Sequence, residues 1–556
     1  MIGREVLHSG NGRFPYLMVG LFLLLMAFSF SLTLSENHND AEDAVAFIDQ
    51  VTSGEKEALF HPNHLIYIFV NRGFYSAWQS LGFSDNAQLP MQALNVIASL
   101  FALGIMAFIG WRLGLTTQQN LLGLVLLVSC FGYWWYSVEV ESYLLPLPFA
   151  LIAWYQTLQF MNTAETRRLL IAAFTVSVAM LIHLQWLALP VALGLVLLFH
   201  WWRNRQQIDH GKMVLSLVLS IGLGAVIVVG AYLAVIFWAY PVKTLSGAVE
   251  WVGGSHHLIF RPPWTVLSPV KTLVGFLRAI WGGHFLFGFP ALEEFFLKLF
   301  ADKLLVEEIH LAKFIPLAVR WFCVIASLLA AVMGVLFLLS LITGRRTVLF
   351  SEEVKSSRFQ SHFIVTAWMM IGVFFALNSV IVPTNPELYI AILPAVILLL
   401  LVYLSRSDHY RFGLISLWGF SVLMLLTNLF GSIVPQTDRE HDYWQLVNQY
   451  FIEHGQPADV IISEGGYVND SYIKLFSKAQ FQEGRLVTAE RLDQLLAEYS
   501  EGRVLVSSWV INPPPEISTQ LPEYDLANAQ RLFNRYRLIE IAKNPYQSVF
   551  QLKSMH

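Results

Sequence analysis

Acidic side chains crowd the segment that follows the first apolar stretch of the chain. Residues 35–90 contain eight Asp and Glu but only two basic residues. Carboxylates held beside an apolar, membrane-spanning stretch are costly unless they are solvated, paired or functional, so Asp40 and Asp43 are candidate functional residues. The alternative is structural: Asn39 or Asp40 can cap a helix beginning at Ala41, where acids also suit the helix dipole. The choice between these two aspartates rests on their position along the chain alone.

Two histidines follow in the same segment, separated by a proline and an asparagine, as His61-Pro62-Asn63-His64. Histidines with nearby carboxylates can bind zinc, but Pro62 disfavours a regular helix across the pair and no third ligand has suitable spacing. We therefore expect no cofactor, with a divalent metal at His61 and His64 as the alternative. In the preferred interpretation these side chains shape a substrate pocket or pack the segment on the rest of the protein.

A second acidic pair lies between the third and fourth apolar stretches, where Glu139 and Glu141 precede Tyr143. Carboxylates accept hydrogen bonds from hydroxyl groups, so this turn is a candidate wall of a pocket for a polyhydroxylated ligand. A solvated turn without a ligand is the alternative.

Cationic residues are set among apolar ones in residues 240–312. Such side chains commonly contact lipid phosphates, and they can also bind a phosphate-bearing substrate. Arg261 is the best single candidate, because a planar guanidinium contacts phosphate oxygens at two points. The other members of this group are Lys243, Lys271 and Arg278.

The elements that must position these residues are membrane helices. Apolar residues make up 56% of the 556-residue chain and charged residues 13%, about half the usual charged share. The net charge of −4 provides no basic field for nucleic acid, and two cysteines exclude a disulfide framework. Eleven stretches are long enough to cross a bilayer. They are residues 15–34, 91–111, 119–137, 143–161, 169–186, 187–202, 213–239, 314–343, 361–382, 388–404 and 411–433.

Lysine and arginine alternate across these eleven stretches. Short connections on one side carry Arg112, Arg167 and Arg406, whereas the turns at 138–142 and 383–387 carry no basic residue. The positive-inside rule then places the N-terminus in the cytoplasm and the C-terminus outside the cytoplasmic membrane. Residues 35–90 and 240–312 become outer loops. Within the second loop, prolines favour a helix in the interface at 264–290 over a twelfth span.

Charge density divides the chain into two predicted domains. Residues 435–556 hold 27 charged residues, about 22%, and the preceding 434 residues hold the other 47, about 11%. We predict a membrane body over 1–434 and a soluble α/β domain over 435–556. Its strands are expected near 458–463, 504–510 and 548–552, with helices at 470–479 and 489–499. The pair Gly465-Gly466 follows the first strand without G-x-G-x-x-G spacing, so we expect an accessory domain without its own chemistry.

Together these motifs resemble the GT-C superfamily of polytopic glycosyltransferases, which includes protein O-mannosyltransferases and lipid A aminoarabinose transferases. The resemblance rests on four short stretches of the chain. They are Asn39-Asp40-Ala-Glu42-Asp43, His61-Pro-Asn-His-Leu-Ile-Tyr67, Glu141-Ser-Tyr143 and Glu387-Leu-Tyr389-Ile-Ala-Ile-Leu-Pro394. The last stretch departs from the superfamily, because Glu387 stands where many members place an arginine.

The resemblance implies a mainly α membrane fold and an inverting transfer of one sugar from a polyprenyl-phosphate donor on the outer face of the membrane. It assigns the base to Asp40, with Asp43 as the alternate, and substrate contacts to Tyr389 and the pocket residues above. The acceptor could be a glycan, a lipid or a protein, and the membrane lipids surround the donor chain. A transporter or flippase of lipid-linked glycans, or a polysaccharide polymerase or ligase, is the alternative function.

Overall fold

The computed structural model describes residues 15–38, 41, 43–239, 244–253, 264–299, 306–348, 358–514 and 524–554. Asp40 and Arg261, two of the predicted site residues, lie outside these ranges. The described part is mainly helical, as predicted, with one small sheet near the C-terminus.

Helices form at all eleven predicted stretches and between several of them. The helices of residues 15–239 are α1 (Tyr16–Leu32), α2 (Ala44–Ser53), α3 (Tyr67–Ser80), α4 (Gln88–Arg112), α5 (Thr117–Ser129), α6 (Phe131–Val138), α7 (Leu147–Thr163), α8 (Thr166–Ile182), α9 (Ala188–Arg203) and α10 (His210–Trp238). Those that follow are α11 (Leu245–Gly253), α12 (Ser268–Ile280), α13 (Pro290–Leu299), α14 (Val306–Phe314), α15 (Leu317–Val348), α16 (Arg358–Asn378), α17 (Leu393–Leu404) and α18 (Tyr410–Asn428). A 3₁₀ helix, Pro386–Ile392, leads into α17.

The protein is a multi-pass membrane protein. Among the described residues, seven helices are long and apolar enough to cross a bilayer, or eight if α5 and α6 form one broken span. These two helices meet at 69°, where Cys130 adopts an extended backbone conformation. Asn428 donates its side-chain Nδ2 to the Ser129 carbonyl at 2.7 Å, which satisfies a backbone group near the break. The full count of eleven spans stays a prediction.

The segment 264–290 is broken into short helices. Its longest, α12, has 13 residues, or about 20 Å, which is less than the bilayer core of about 30 Å. Ser268, Thr272, Gly275 and Ala279 form its buried face, and apolar side chains such as Leu273 are exposed on the other. This amphipathic pattern agrees with the predicted position in the membrane interface, which stays a prediction.

A five-stranded mixed sheet forms the centre of the C-terminal region. The strands are β1 (Val460–Ser463), β2 (Gln480–Glu483), β3 (Val504–Ser507), β4 (Arg537–Lys543) and β5 (Ser548–Lys553), in the order β2-β1-β3-β5-β4. Helices α19 (Tyr443–Val447), α20 (Gln449–His454), α21 (Gly466–Phe476), α22 (Ala489–Glu498) and α23 (Leu526–Phe533) complete it. Sequence patterns located β1, β3 and β5 but not the edge strands β2 and β4, which lack continuous burial.

The strands β1, β2 and β3 run parallel, and β5 and β4 are antiparallel to their neighbours. The α/β prediction for this region agrees with the structure. The exact division of the chain at residue 434 stays a prediction.

Candidate active site

Asp43 lies directly before α2. The predicted helix start at Ala41 is wrong, because α2 begins at Ala44. Although Asp43 occupies the N-cap position, its side chain makes no capping hydrogen bond. Capping therefore does not account for this aspartate. The carboxylate instead forms a hydrogen bond with the side chain of Tyr467, in the first turn of α21.

Three carboxylates from distant parts of the chain lie near enough to one another to interact electrostatically. Asp43 comes before α2, Glu141 from the connection between α6 and α7, and Glu387 from the start of the 3₁₀ helix before α17. We call these three residues the carboxylate cluster. Burial and the negative charge of Glu387 raise the pKa of Asp43 to about 6, although the Tyr467 hydrogen bond opposes this shift. Burial, then Asp43 and Glu387, raise the pKa of Glu141 well above its ordinary value.

Glu387 has its own hydrogen-bond donors. Asn385 Nδ2 donates to its Oε1 at 2.7 Å, and the Tyr136 hydroxyl donates to Oε2 at 3.1 Å. The residue that replaces the usual arginine of the resembling superfamily is thus part of an acidic centre. A negative side chain here repels a phosphate, so a donor phosphate would need a cation from another element.

Glu139 faces a different partner from Glu141. Its Oε1 lies 2.8 Å from Nδ1 of His38, and both side chains are buried. Burial lowers the pKa of His38, but the carboxylates of Glu139 and Asp442 outweigh this effect, so the pKa is raised overall. Asn95 Nδ2 donates to the backbone carbonyls of Glu139 and Glu141, at 2.7 and 2.8 Å. These two hydrogen bonds from Asn95 fix the backbone of the connection that contains Glu141.

A row of rings lies beside the cluster. The rings of His61 and His64 stack with centroids 4.6 Å apart, and His64 lies 5.7 Å from His183. Tyr143 contacts His183 at 4.7 Å and Tyr136 at 5.8 Å. Aromatic faces beside hydrogen-bonding carboxylates suit a ligand with both apolar and hydroxylated surfaces, as a sugar has.

Sequence patterns did not predict His183 or Tyr136 as site residues. His183 follows the last residue of α8, and Tyr136 lies in the aromatic run of α6. Each has ordinary neighbours along the chain, so only the packing of these helices brings them to the ring row.

The His61–His64 turn is not helical, as Pro62 predicted. The Asn63 amide donates to His61 Nδ1 at 3.2 Å, and the two histidines form an isolated bridge. Among the described residues, one group of three possible metal ligands lies within 4.8 Å, and it consists of Glu464, Asp470 and Glu483 in the C-terminal region. A metal at His61 and His64, and the expectation that no cofactor is needed, both stay untested predictions.

Tyr389 packs the 3₁₀ helix Pro386–Ile392 against its neighbours. Its buried hydroxyl donates to the Pro383 carbonyl at 2.6 Å, and its ring packs edge-on against Phe276 of α12. A Cβ added to Gly275 would overlap the Pro383 carbonyl and lie 2.6 Å from Tyr389 Cε2. These contacts of Tyr389 hold the segment that contains Glu387 against α12. That Tyr389 contacts a substrate stays a prediction.

Helix α12 places one cationic side chain, Arg278, beside the segment that carries Glu387. Its Nη1 lies 3.5 Å from the Thr384 carbonyl, and its Nη2 lies 3.5 Å from Oε1 of Glu308. Both contacts are long, and the side chain is 22% exposed, so the guanidinium can still accept another partner. Lys271 lies about two turns earlier on the same helix.

No protein-family model and no curated protein matches this sequence. Solved structures do match it in fold. ArnT from Cupriavidus metallidurans bound to undecaprenyl phosphate superposes with a TM-score of 0.53 at 12% identity, covering 97% of this chain and 98% of that one. Its apo state gives the same TM-score and identity over 96% and 97%.

An oligosaccharyltransferase from Archaeoglobus fulgidus, solved with zinc and sulfate, matches at a TM-score of 0.46 and 11% identity, over 96% of this chain and 73% of that one. The ArnT likeness extends over the membrane helices and the C-terminal sheet together, because nearly the whole of both chains is covered. The chain therefore has the fold of ArnT, in agreement with the fold that the GT-C resemblance implied.

Proposed function

We propose that this protein is a membrane glycosyltransferase that moves a sugar from a polyprenyl-phosphate donor to a hydroxyl acceptor on the outer face of the cytoplasmic membrane. The carboxylate cluster is the observation that carries the proposal, since three acids from distant segments interact electrostatically there and the Tyr136 hydroxyl joins Glu387 to the neighbouring rings. ArnT, with the same fold, was solved with undecaprenyl phosphate, which supports a lipid-phosphate donor. A membrane body suits such a donor because its chain must remain in the bilayer.

Asp43 is the proposed general base. A pKa of about 6 leaves its carboxylate largely ionised at pH 7 but close enough to that pH for efficient proton transfer. The carboxylate takes the proton of the acceptor hydroxyl while the hydroxyl oxygen bonds to the anomeric carbon from the face opposite the phosphate. The bond from that carbon to the phosphate oxygen breaks, and polyprenyl phosphate leaves with the electron pair. The configuration at the anomeric carbon inverts.

Glu141 is the proposed hydrogen-bonding partner of the sugar in this step. Burial, Asp43 and Glu387 raise the pKa of Glu141, so this carboxyl group takes up a proton more readily than an ordinary glutamate, and the protonated group can donate a hydrogen bond to a sugar oxygen. Glu387 remains an acceptor for sugar hydroxyls beyond its bonds to Asn385 and Tyr136. The cluster thereby combines a base, a donor and an acceptor in one place.

The donor phosphate needs a positive partner, which we assign to α12. Arg278 lies next to the Glu387 segment and can bind phosphate oxygens at two points. Arg261, predicted for this role, lies outside the described residues and remains a second candidate. The acceptor class, whether glycan, lipid or protein, and the identity of the sugar are left open by this geometry.

The direct test is release of free polyprenyl phosphate by the purified protein in nanodiscs. A panel of polyprenyl-phosphate sugars is offered with pooled glycan, lipid and peptide acceptors, and product is followed by mass spectrometry. Release together with a glycosylated acceptor is expected. Ion-coupled movement of the intact lipid-linked glycan, without release from any donor, would contradict the proposal and favour a transporter.

The charge of Glu387 is expected to show in the pH dependence of transfer. Glu387→Gln removes the negative charge that helps to raise the pKa of Asp43, so this pKa should fall below about 6. The acid limb of the kcat/KM profile should then move to lower pH. The control is Glu36→Gln, which changes an exposed acid in the loop that contains Asp43 and should leave the acid limb at its wild-type position. An unmoved limb in Glu387→Gln would contradict the assigned base.

Close packing at Gly275 is expected to be necessary for activity. In Gly275→Ala the added methyl group must push α12 away from the Pro383 carbonyl and Tyr389, and the Glu387 segment moves with them. A misplacement near 1 Å costs about 10²-fold in rate. Gly372→Ala is the matched control, since nothing lies within 4 Å of its added Cβ. Equal transfer rates for both variants would show that α12 does not position the site.

A further inference from the structure

Helix α21 of the C-terminal region packs directly on α2, which follows Asp43 in the chain. Tyr467 occupies the first turn of α21 and reaches back to the Asp43 carboxylate. The residue is nevertheless 55% exposed. Tyr467 therefore lies between a candidate base and the solvent.

Local backbone geometry directs Tyr467 to this position. Strand β1 ends at Ser463, and α21 begins only three residues later, after Glu464 and Gly465. Gly466 has φ of +85°, a conformation that favours glycine. A side chain at Gly465 would overlap Asn469. The two glycines therefore make the tight turn that presents Tyr467, rather than a nucleotide-binding loop.

A second set of contacts holds the C-terminal region against residues 35–90, the loop that contains Asp43. The His38 amide donates to Asp442 Oδ2 at 3.0 Å, and the Tyr472 hydroxyl of α21 bonds the same oxygen. Asp442 Oδ1 caps α19 by accepting from the Trp444 amide at 2.8 Å. Val45 of α2 is buried in one cluster with Trp444 and Tyr472. These contacts restrict movement of α21 relative to Asp43.

We propose that Tyr467 is a positioning residue for the Asp43 carboxylate, and that the C-terminal domain thereby completes the catalytic site. This inference rests on the proposed function and replaces the expectation of a domain without a chemical role. The tyrosine hydroxyl occupies one side of the carboxylate, which directs its other lone pairs to the acceptor hydroxyl. Among the described residues, Glu141 and Glu387 from the membrane body and Tyr467 from α21 interact with Asp43.

The test compares Tyr467→Phe with Tyr450→Phe. Both changes remove only a hydroxyl from the C-terminal domain, but Tyr450 bonds Arg503 instead of the site. We expect Tyr467→Phe to lower kcat about tenfold, as loss of a hydrogen bond to a charged group predicts. Because this bond lowers the pKa of Asp43, the acid limb of the pH profile should also move upward. Tyr450→Phe should retain the wild-type rate and profile.

An infrared titration of the Asp43 carboxyl group, assigned by its loss in Asp43→Asn, gives a readout that needs no substrate. Its midpoint should rise in Tyr467→Phe, which supports the inference even if the donor panel yields no transfer. An unchanged midpoint and an unchanged rate would overturn the role of Tyr467 while leaving the glycosyltransferase proposal intact. Full transfer by Asp43→Asn would instead overturn the proposed mechanism.

Discussion

Asp43→Asn is expected to reduce sugar transfer by about 10²- to 10⁴-fold, the usual contribution of a general base. The amide keeps the size of the side chain but cannot accept the proton of the acceptor hydroxyl. The variant should fold and insert normally, because it removes a buried like charge from the neighbourhood of Glu141 and Glu387. The measurement is the initial rate of polyprenyl-phosphate release, beside the apparent melting temperature in nanodiscs.

Asp40→Asn and Glu36→Gln complete this experiment. The superfamily resemblance favours Asp40, which is separated from Asp43 by only two residues. If Asp43 is the base, Asp40→Asn should retain most of the wild-type rate, and the exposed Glu36 should tolerate substitution. Loss of transfer in Asp40→Asn with full transfer in Asp43→Asn would return the base to Asp40.

His38→Phe is expected to destabilise the protein by about 3–5 kcal/mol, the cost of leaving a buried charge without its partner. The imidazole pairs with Glu139 at 2.8 Å, and both groups are excluded from water. Glu139→Gln should cost less, because His38 can lose its proton and become neutral. Apparent melting temperature and protease sensitivity of the C-terminal domain are the measurements. A smaller loss in His38→Phe than in Glu139→Gln would contradict this account.

The His38–Glu139 pair also predicts how the stability of the protein changes with pH. The pKa of His38 is raised in the folded protein, so the pair contributes fully below the unfolded pKa of histidine. This contribution is lost as the pH rises through the raised folded value. The difference in melting temperature between the wild type and His38→Phe should therefore shrink at alkaline pH. Arg168→Gln, which disrupts an exposed pair with Glu165, is the control and should change stability by less than about 1 kcal/mol.

Local patterns in the sequence determined the architecture. Hydrophobic length located the helices, and charge density separated the region that contains the sheet, since both depend on the solvent that each segment faces. The same reasoning singled out Asp43, Glu139, Glu141, His61 and His64 as separate candidates, because polar residues beside apolar helices are conspicuous. It did not distinguish their roles, since a spacing along the chain contains no information on which side chains meet.

Tertiary packing decided those roles. His38 and Glu139 are 101 residues apart, and His38 and Asp442 are 404 apart, yet each pair is joined by a hydrogen bond. Glu139 became a paired charge, whereas Glu141 joined Asp43 and Glu387 in the carboxylate cluster. Tyr467 reached Asp43 only because α21 docks on α2. Local hydrophobicity and turn chemistry were thus enough to predict the apolar helices and three of the five strands. Which charged groups interact was decided only by the tertiary structure, because electrostatic and hydrogen-bond energies depend on distance in space.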